Sequence, residues 1–255
     1  MKLCVSTLLI LLGALSAVGA SDVRVGPTGD GGYVVSTKQL IRPAGRSLEF
    51  SGHPMDLVLS PDNKTLYAKT TTGLLVVDAM KWVLRQRMDF GEADLGSYHG
   101  IAVTRNGLTV YAGTSQSALL EMRVGADGMI SIARKIDVRG LGKGNSTPCG
   151  IALSPDEKTA YVCLSRSNSL AVVDLDAGKL VKEIPVGVSP YDVELSADGQ
   201  TAWVSNWGGR LPREIDKTET SSGTRTRVDI RSIACSGSVS LVDVEQGKEI
   251  LEVNT

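Results

Sequence analysis

Hydrophobic and polar positions alternate in short blocks along this chain, and the same order of blocks returns four times. Residues 149–174 read CGIALSPDEKTAYVCLSRSNSLAVVD. CGIALS is an almost wholly apolar run, the pattern of a strand covered on both faces. PDEK is a turn, in which proline fixes φ and aspartate bonds back to the backbone. TAYVCLS is a second strand, SRSN a reversal, SLAVVDL a third strand, DAGK a turn and LVKEIPVG a fourth strand. The runs are short, β-branched and aliphatic, and bounded by turn residues. They lack the 3.6-residue apolar period of a helical repeat.

Related text begins at residues 53, 99 and 191: HPMDLVLSPDNKTLYAKTTTGLLVVD, HGIAVTRNGLTVYAGTSQSALLEM and YDVELSADGQTAWVSNW. The residue that opens each turn serves as a register mark: Ser60, Thr104, Ser154 and Ser196. The marks lie 44, 50 and 42 residues apart. Strand-rich repeats of about 40–50 residues are the signature of a β-propeller, with one four-stranded sheet per repeat. The predicted fold is therefore all-β, with blades at 53–98, 99–147, 148–189 and 190–255. Asn63 stands at the turn position that Gly199 occupies in the fourth repeat, which predicts a left-handed conformation there. RSLEFSGHP at 46–54 matches KEIPVGVSP at 182–190, so Arg46–Ser51 is expected to be the outer strand of a blade and to close a ring. It would sit in an N-terminal extension, 21–52. The sequence stops where a fifth repeat would start, and four blades are expected to be part of a larger ring.

The run SPDEKTAYVCLSRSNSLAVVDLDAGKLVKEIPVG resembles the YVTN-type repeat. Tyr161-Val162-Cys163-Leu164 and Trp203-Val204-Ser205-Asn206 stand where that signature falls. The resemblance covers about 53–255 and implies a seven-bladed, lactonase-like propeller. SNWGGRLP, a polar insertion containing SSGT, and SGSVSLVDVEQGKEI are similar to exported bacterial proteins with an N-terminal propeller. In those proteins a phosphoesterase domain of the alkaline-phosphatase superfamily follows. The resemblance implies that this chain is the N-terminal part of such a protein.

Composition adds little to the fold but narrows the partners. The 255 residues are 42% hydrophobic and 22% charged, with a net charge of −1, an ordinary globular profile. A near-neutral chain lacks the concentrated basic face that nucleic acid requires. MKLCVSTLLILLGALSAVGA, with one lysine, an apolar run and a small-residue end, reads as a signal peptide over 1–20 cut after Ala20. The mature chain is then secreted or periplasmic, and no membrane association is expected after cleavage. It keeps Cys149, Cys163 and Cys235, an odd number, so at least one is unpaired within the chain. Cys149 and Cys163 fall on neighbouring strands, and the register decides whether they share a face. The expectation is three small, mostly buried thiols.

The candidate chemistry lies near the start of each blade's first strand, which in propellers lines the central channel. Five residues before each mark stand Met55, His99, Cys149 and Tyr191; four before stand Asp56, Gly100, Gly150 and Asp192. Asp56, His99, Tyr191, Asp192 and Trp207 are thus the ligand-binding candidates at the channel mouth. One reading is a polar ligand or metal site; the other is that the aspartates satisfy loop amides. Two carboxylates and one imidazole fall short of the three or four ligands a metal usually needs. They come from blades one, two and four, so they are expected to lie too far apart to share an ion, and no metal or cofactor is expected. No GxSxG or GxxxxGK[ST] motif is present, and RGLGKGNS at 139–146 lacks the helix of a phosphate cradle. Residues 208–237 form an insertion with six cationic and four acidic side chains. It leaves between strands two and three and should overhang the mouth, and a long unstructured loop there is either functional or disordered. The function these features predict is a non-catalytic propeller that binds an unknown protein or small molecule at the mouth. The alternative is a lactonase-like or metal-dependent hydrolase using His99, Asp56 and Asp192.

Overall fold

A computed structural model describes residues 24–140, 144–221 and 223–255. The expected leader at 1–20 and the centre of the glycine-rich loop at 141–143 lie outside the described residues. The described residues divide into two compact units, one ending at Ser47 and the other running from Leu48 to Thr255. In the first, β1 (Gly26–Pro27), β2 (Tyr33–Val34) and β3 (Leu40–Ile41) form a small antiparallel sheet in that order.

The second unit is a β-propeller, all-β, with four four-stranded antiparallel sheets among the described residues. Blade one holds β4 (Pro54–Leu59), β5 (Thr65–Thr70), β6 (Gly73–Asp78) and β7 (Val83–Asp89). Blade two holds β8 (Gly96–Val103), β9 (Thr109–Thr114), β10 (Ala118–Val124) and β11 (Ile130–Asp137). Blade three holds β12 (Pro148–Leu153), β13 (Thr159–Leu164), β14 (Ser169–Asp174) and β15 (Lys179–Pro185). Blade four holds β16 (Pro190–Leu195) and β17 (Thr201–Asn206). Its insertion forms a separate hairpin, β18 (Thr218–Ser221) with β19 (Thr224–Arg227), and the blade resumes with β20 (Ser238–Asp243) and β21 (Lys248–Asn254).

The repeated turn has a specific chemistry. In each blade the hydroxyl at the register mark donates to the side-chain oxygen two residues on and accepts the amide five residues on. Ser154 Oγ donates to Asp156 Oδ1 at 2.6 Å and accepts from Thr159 N at 3.0 Å. Ser60–Asp62–Thr65, Thr104–Asn106–Thr109 and Ser196–Asp198–Thr201 repeat it. Each polar pair thus closes the reversal between the first and second strands. Asn63 takes φ +60°, the left-handed value its turn requires.

The core sits between blades. Tyr67, on β5, packs with Val110, Ala112 and Met122 of blade two. Tyr111 packs with Ala160, Val162 and Val173 of blade three. Tyr161 packs with Val193, Ala202 and Val204 of blade four. All three tyrosines stand seven residues after their register mark, and their exposures are 1%, 5% and 7%. Burying one such ring contributes about 1.5–3 kcal/mol. The first strands pack in series, β4 on β8, β8 on β12 and β12 on β16.

Among the described residues Arg46–Ser51 pairs with no strand; Leu48 and Phe50 pack against Ala68, Leu75 and Val77, the face of blade one turned away from blade two. The structure corrects two expectations. The insertion is not an unstructured loop. Its hairpin is braced by the Arg210 guanidinium, which grips both carboxylate oxygens of Asp216 at 2.7 and 2.8 Å, with Arg227 Nε 3.5 Å away. A bidentate pair of this kind is among the stronger charged hydrogen bonds. Cys149 and Cys163 are buried free thiols, but Cys235 is exposed because it lies in the insertion and not in a blade.

Trp203 occupies the position of the three buried tyrosines, yet it is 48% exposed. Among the described residues no sheet covers that face of blade four. Leu241 and Leu251 are its cross-strand partners on the same face, and Leu251 is exposed too. An apolar sheet face of this size draws association. The purified chain is expected to self-associate in sedimentation velocity, and Trp203→Glu should shift it towards monomer. A monomer at every concentration would mean that the face is inert.

Candidate functional site

The site arises from an irregularity shared by the four first strands. Each ladder to the second strand slips register near its start, between Pro54 and Asp56, Gly96 and Ile101, Pro148 and Ile151, and Pro190 and Asp192. A bulge bends the strand and re-aims the side chains at the slip. The residues re-aimed are the aligned candidates. Between the two aspartates stand Gly100 and Gly150, and only glycine fits at either place. A Cβ on Gly100 would lie 1.9 Å from the Cys149 carbonyl oxygen, and one on Gly150 2.5 Å from Asp192 Oδ1.

His99 meets both aspartates. Its Nδ1 lies 3.2 Å from Asp56 Oδ2 and its Nε2 3.1 Å from Asp192 Oδ1. The expectation that His99 stands far from both carboxylates is therefore wrong. The first strands converge on the axis, and the bulges turn the side chains inward, so blades one, two and four meet at one imidazole. The aspartates also satisfy local amides: Asp56 accepts from Gly100 N at 2.9 Å and Leu57 N at 2.8 Å, and Asp192 from Val193 N at 2.9 Å. Only a protonated imidazole could donate to both carboxylates at once. The bond to Asp192 raises the His99 pKa, against the opposing effect of burial, and the same bond lowers that of Asp192.

The ring of His99 stacks on Tyr191, with centroids 5.1 Å apart and planes 13° from parallel. Tyr191 in turn meets Trp207 at 5.6 Å and 36°. The stack stands between two cavities. One, of about 620 Å³, holds Asp56, His99, Asp192, Glu194, Arg105 and Glu157. The other, of about 910 Å³, lies at the mouth and holds Tyr98, Tyr191, Trp207 and the insertion hairpin. The five candidates are thus one connected cluster, but they serve different sides of it: Asp56, His99 and Asp192 line the inner cavity, Tyr191 and Trp207 the outer. Thr147 and Ser189, also at the mouth, hold positive φ of 49° and 53°.

Sequence reasoning missed Lys69. Its side chain is wholly buried behind His99, and its Nζ donates to Ser97 Oγ at 2.7 Å and to the carbonyl oxygens of His99 at 2.6 Å and Gly100 at 3.1 Å. Burial pulls its pKa down to about 7. A signal was available: Lys69 stands nine residues after its register mark, where the other repeats carry Gly113, Cys163 and Ser205.

No protein-family model matches the chain, and no curated protein matches it. Solved structures do resemble it. A chain of hydrazine synthase from Kuenenia stuttgartiensis, a propeller-containing protein, superposes with a TM-score of 0.58 at 20% identity, covering 84% of this chain and 53% of that one. This chain therefore spans about half the length of that relative. A functionally unknown protein from Desulfotomaculum acetoxidans DSM 771 superposes with a TM-score of 0.52 at 17% identity, covering 81% and 73%. At these identities the likeness is one of fold.

The clamp sets two pH dependences of opposite sign. The folded pKa of His99 lies above its ordinary 6.5, so its stabilisation is complete below about 6.5 and is lost as pH rises through the folded value. His99→Gln should cost about 2 kcal/mol at pH 6 and less at alkaline pH, read by urea unfolding at each pH. Lys69 acts the other way. Between about 7 and its ordinary 10.5 the unfolded chain holds a proton that the folded chain has released, so this group makes stability rise with pH. Lys69→Met should remove that rise; an unchanged slope would mean that the ammonium stays charged in the folded chain.

Proposed function

We propose that this chain is an exported, non-catalytic propeller module that binds a ligand or partner at the channel mouth. The propeller fold supports a binding or scaffold module. The observation that carries the reading is Trp207, a large ring 75% exposed at the edge of the mouth cavity and backed by Tyr191. An exposed aromatic held on a rigid stack beside a cavity of ligand size is costly to leave in water and useful for recognition. The YVTN-type repeat pattern and the leader-like segment at 1–20 support a secreted or periplasmic protein of that repeat class. The SNWGGRLP segment and its insertion support an N-terminal propeller in a longer protein with a phosphoesterase domain.

The hydrolase alternative has weaker support. Both ring nitrogens of His99 face carboxylates, which leaves neither free to accept a proton from a nucleophile or to ligate a metal. His99 on this reading is a positioning residue that holds Tyr191 and, through it, Trp207.

Ligand-observed NMR against a fragment library tests the binding reading. Fragments are expected to bind the purified chain, and Trp207→Ala and Tyr191→Ala should abolish most hits while leaving the circular dichroism spectrum unchanged. Hits insensitive to both substitutions would overturn it.

A further inference from the structure

Three features of the mouth cavity define the chemistry of what it holds. The first is the platform. His99 stacks on Tyr191 and Tyr191 meets Trp207 at a tilt, so the exposed indole at the cavity is braced by a second ring. Such a surface takes a ligand with a flat apolar face.

The second is a wall of hydroxyls. Eleven residues after their register marks, where blade four carries Trp207, the other blades carry Thr71, Ser115 and Ser165, and all three line the cavity. Ser189 lines it as well. Among the described residues the hydroxyls of Thr71, Ser115 and Ser189 take part in no hydrogen bond, although Ser115 and Ser189 use their backbone amides and carbonyls. The hairpin adds Thr220 and Thr226. A hydroxyl can donate or accept, so this wall suits a ligand whose own groups do both.

The third is charge. The charged side chains lining the cavity are Arg166 and Glu219. An anionic ligand would want a surplus of cations, and a cationic one a surplus of acids. A balanced pair at the edge favours a neutral ligand.

A flat apolar face, hydroxyls around the perimeter and no net charge together describe a sugar ring. We infer that the mouth cavity is a carbohydrate subsite, in which a neutral oligosaccharide sets one pyranose against Trp207 and extends hydroxyls towards Ser189, Ser115 and Thr71. The volume of about 910 Å³ falls in the ordinary range for ligand pockets. This inference rests on the binding function proposed above and names its ligand class.

The test is a glycan array carrying neutral glucose-, galactose-, mannose- and N-acetylglucosamine-terminated oligosaccharides, followed by tryptophan-fluorescence titration with those that bind. Binding to at least one neutral glycan is expected. Trp207→Ala should weaken it about tenfold, the equivalent of one aromatic contact. The double substitution Thr71→Val with Ser115→Ala removes hydroxyls without disturbing the platform, and it should weaken the same glycan severalfold while sparing planar aromatic fragments. If fragments bind in a Trp207-dependent way but no glycan does, the carbohydrate inference is overturned and the binding module stands. If neither glycans nor fragments bind, both fail. Glycan binding unaffected by all three substitutions would place the sugar elsewhere and overturn the inference.

Discussion

A blade in this protein has apolar side chains on both of its faces, and no blade can cover itself. That constraint organises everything else. It requires the repeats to follow one another closely and keeps the second strand of every blade in one register. At one position of that strand it places an aromatic ring that must reach the next sheet. Tyr67, Tyr111 and Tyr161 each do so and disappear into an interface. Trp203 has the same place in its own blade and the same chemistry, and differs only in having no sheet against it among the described residues. On the opposite side, Leu48 and Phe50 cover blade one with side chains and no ladder.

The candidate site follows from the same stacking. Sheets packed face to face bring their first strands together at an axis, where there is room for backbone but little for side chains. The bulges and the two glycines, Gly100 and Gly150, answer that crowding. The space so opened admits two carboxylates and one imidazole. His99 then ties blades one, two and four with a charged group at hydrogen-bond distance on both sides. Buried Lys69 holds the carbonyls of His99 and Gly100 from behind. One inner electrostatic cluster thereby carries an outer aromatic stack, so the state of the imidazole bears directly on how firmly Trp207 is presented at the mouth.

Much of this was legible in the linear order of residues, because the information is local. A hydroxyl, an acid two residues on and a threonine five residues on are enough to close the turn, and the four copies could be aligned on it. The left-handed residue at Asn63 and the placing of Asp56, His99, Tyr191 and Asp192 near one level of the channel came from that alignment alone. So did the position that Trp203 shares with Tyr161, although its exposure did not.

What the sequence by itself determined, then, is the repeat, the all-β class and the level at which each candidate stands. The tertiary structure decided which candidates touch. Whether Asp192 can reach a histidine two blades away depends on the radius at which the first strands pack and on the direction a bulge turns a side chain, and neither is written in any one repeat. Lys69 is buried only by the packing of the blades. The segment 46–51 carries a strand-like pattern, and the packing sets Leu48 and Phe50 on an apolar face of blade one. The insertion looked like loop until Asp216 was found between Arg210 and Arg227. In each case the deciding term is a contact between residues distant in the chain, whose energy exists only once the blades are stacked.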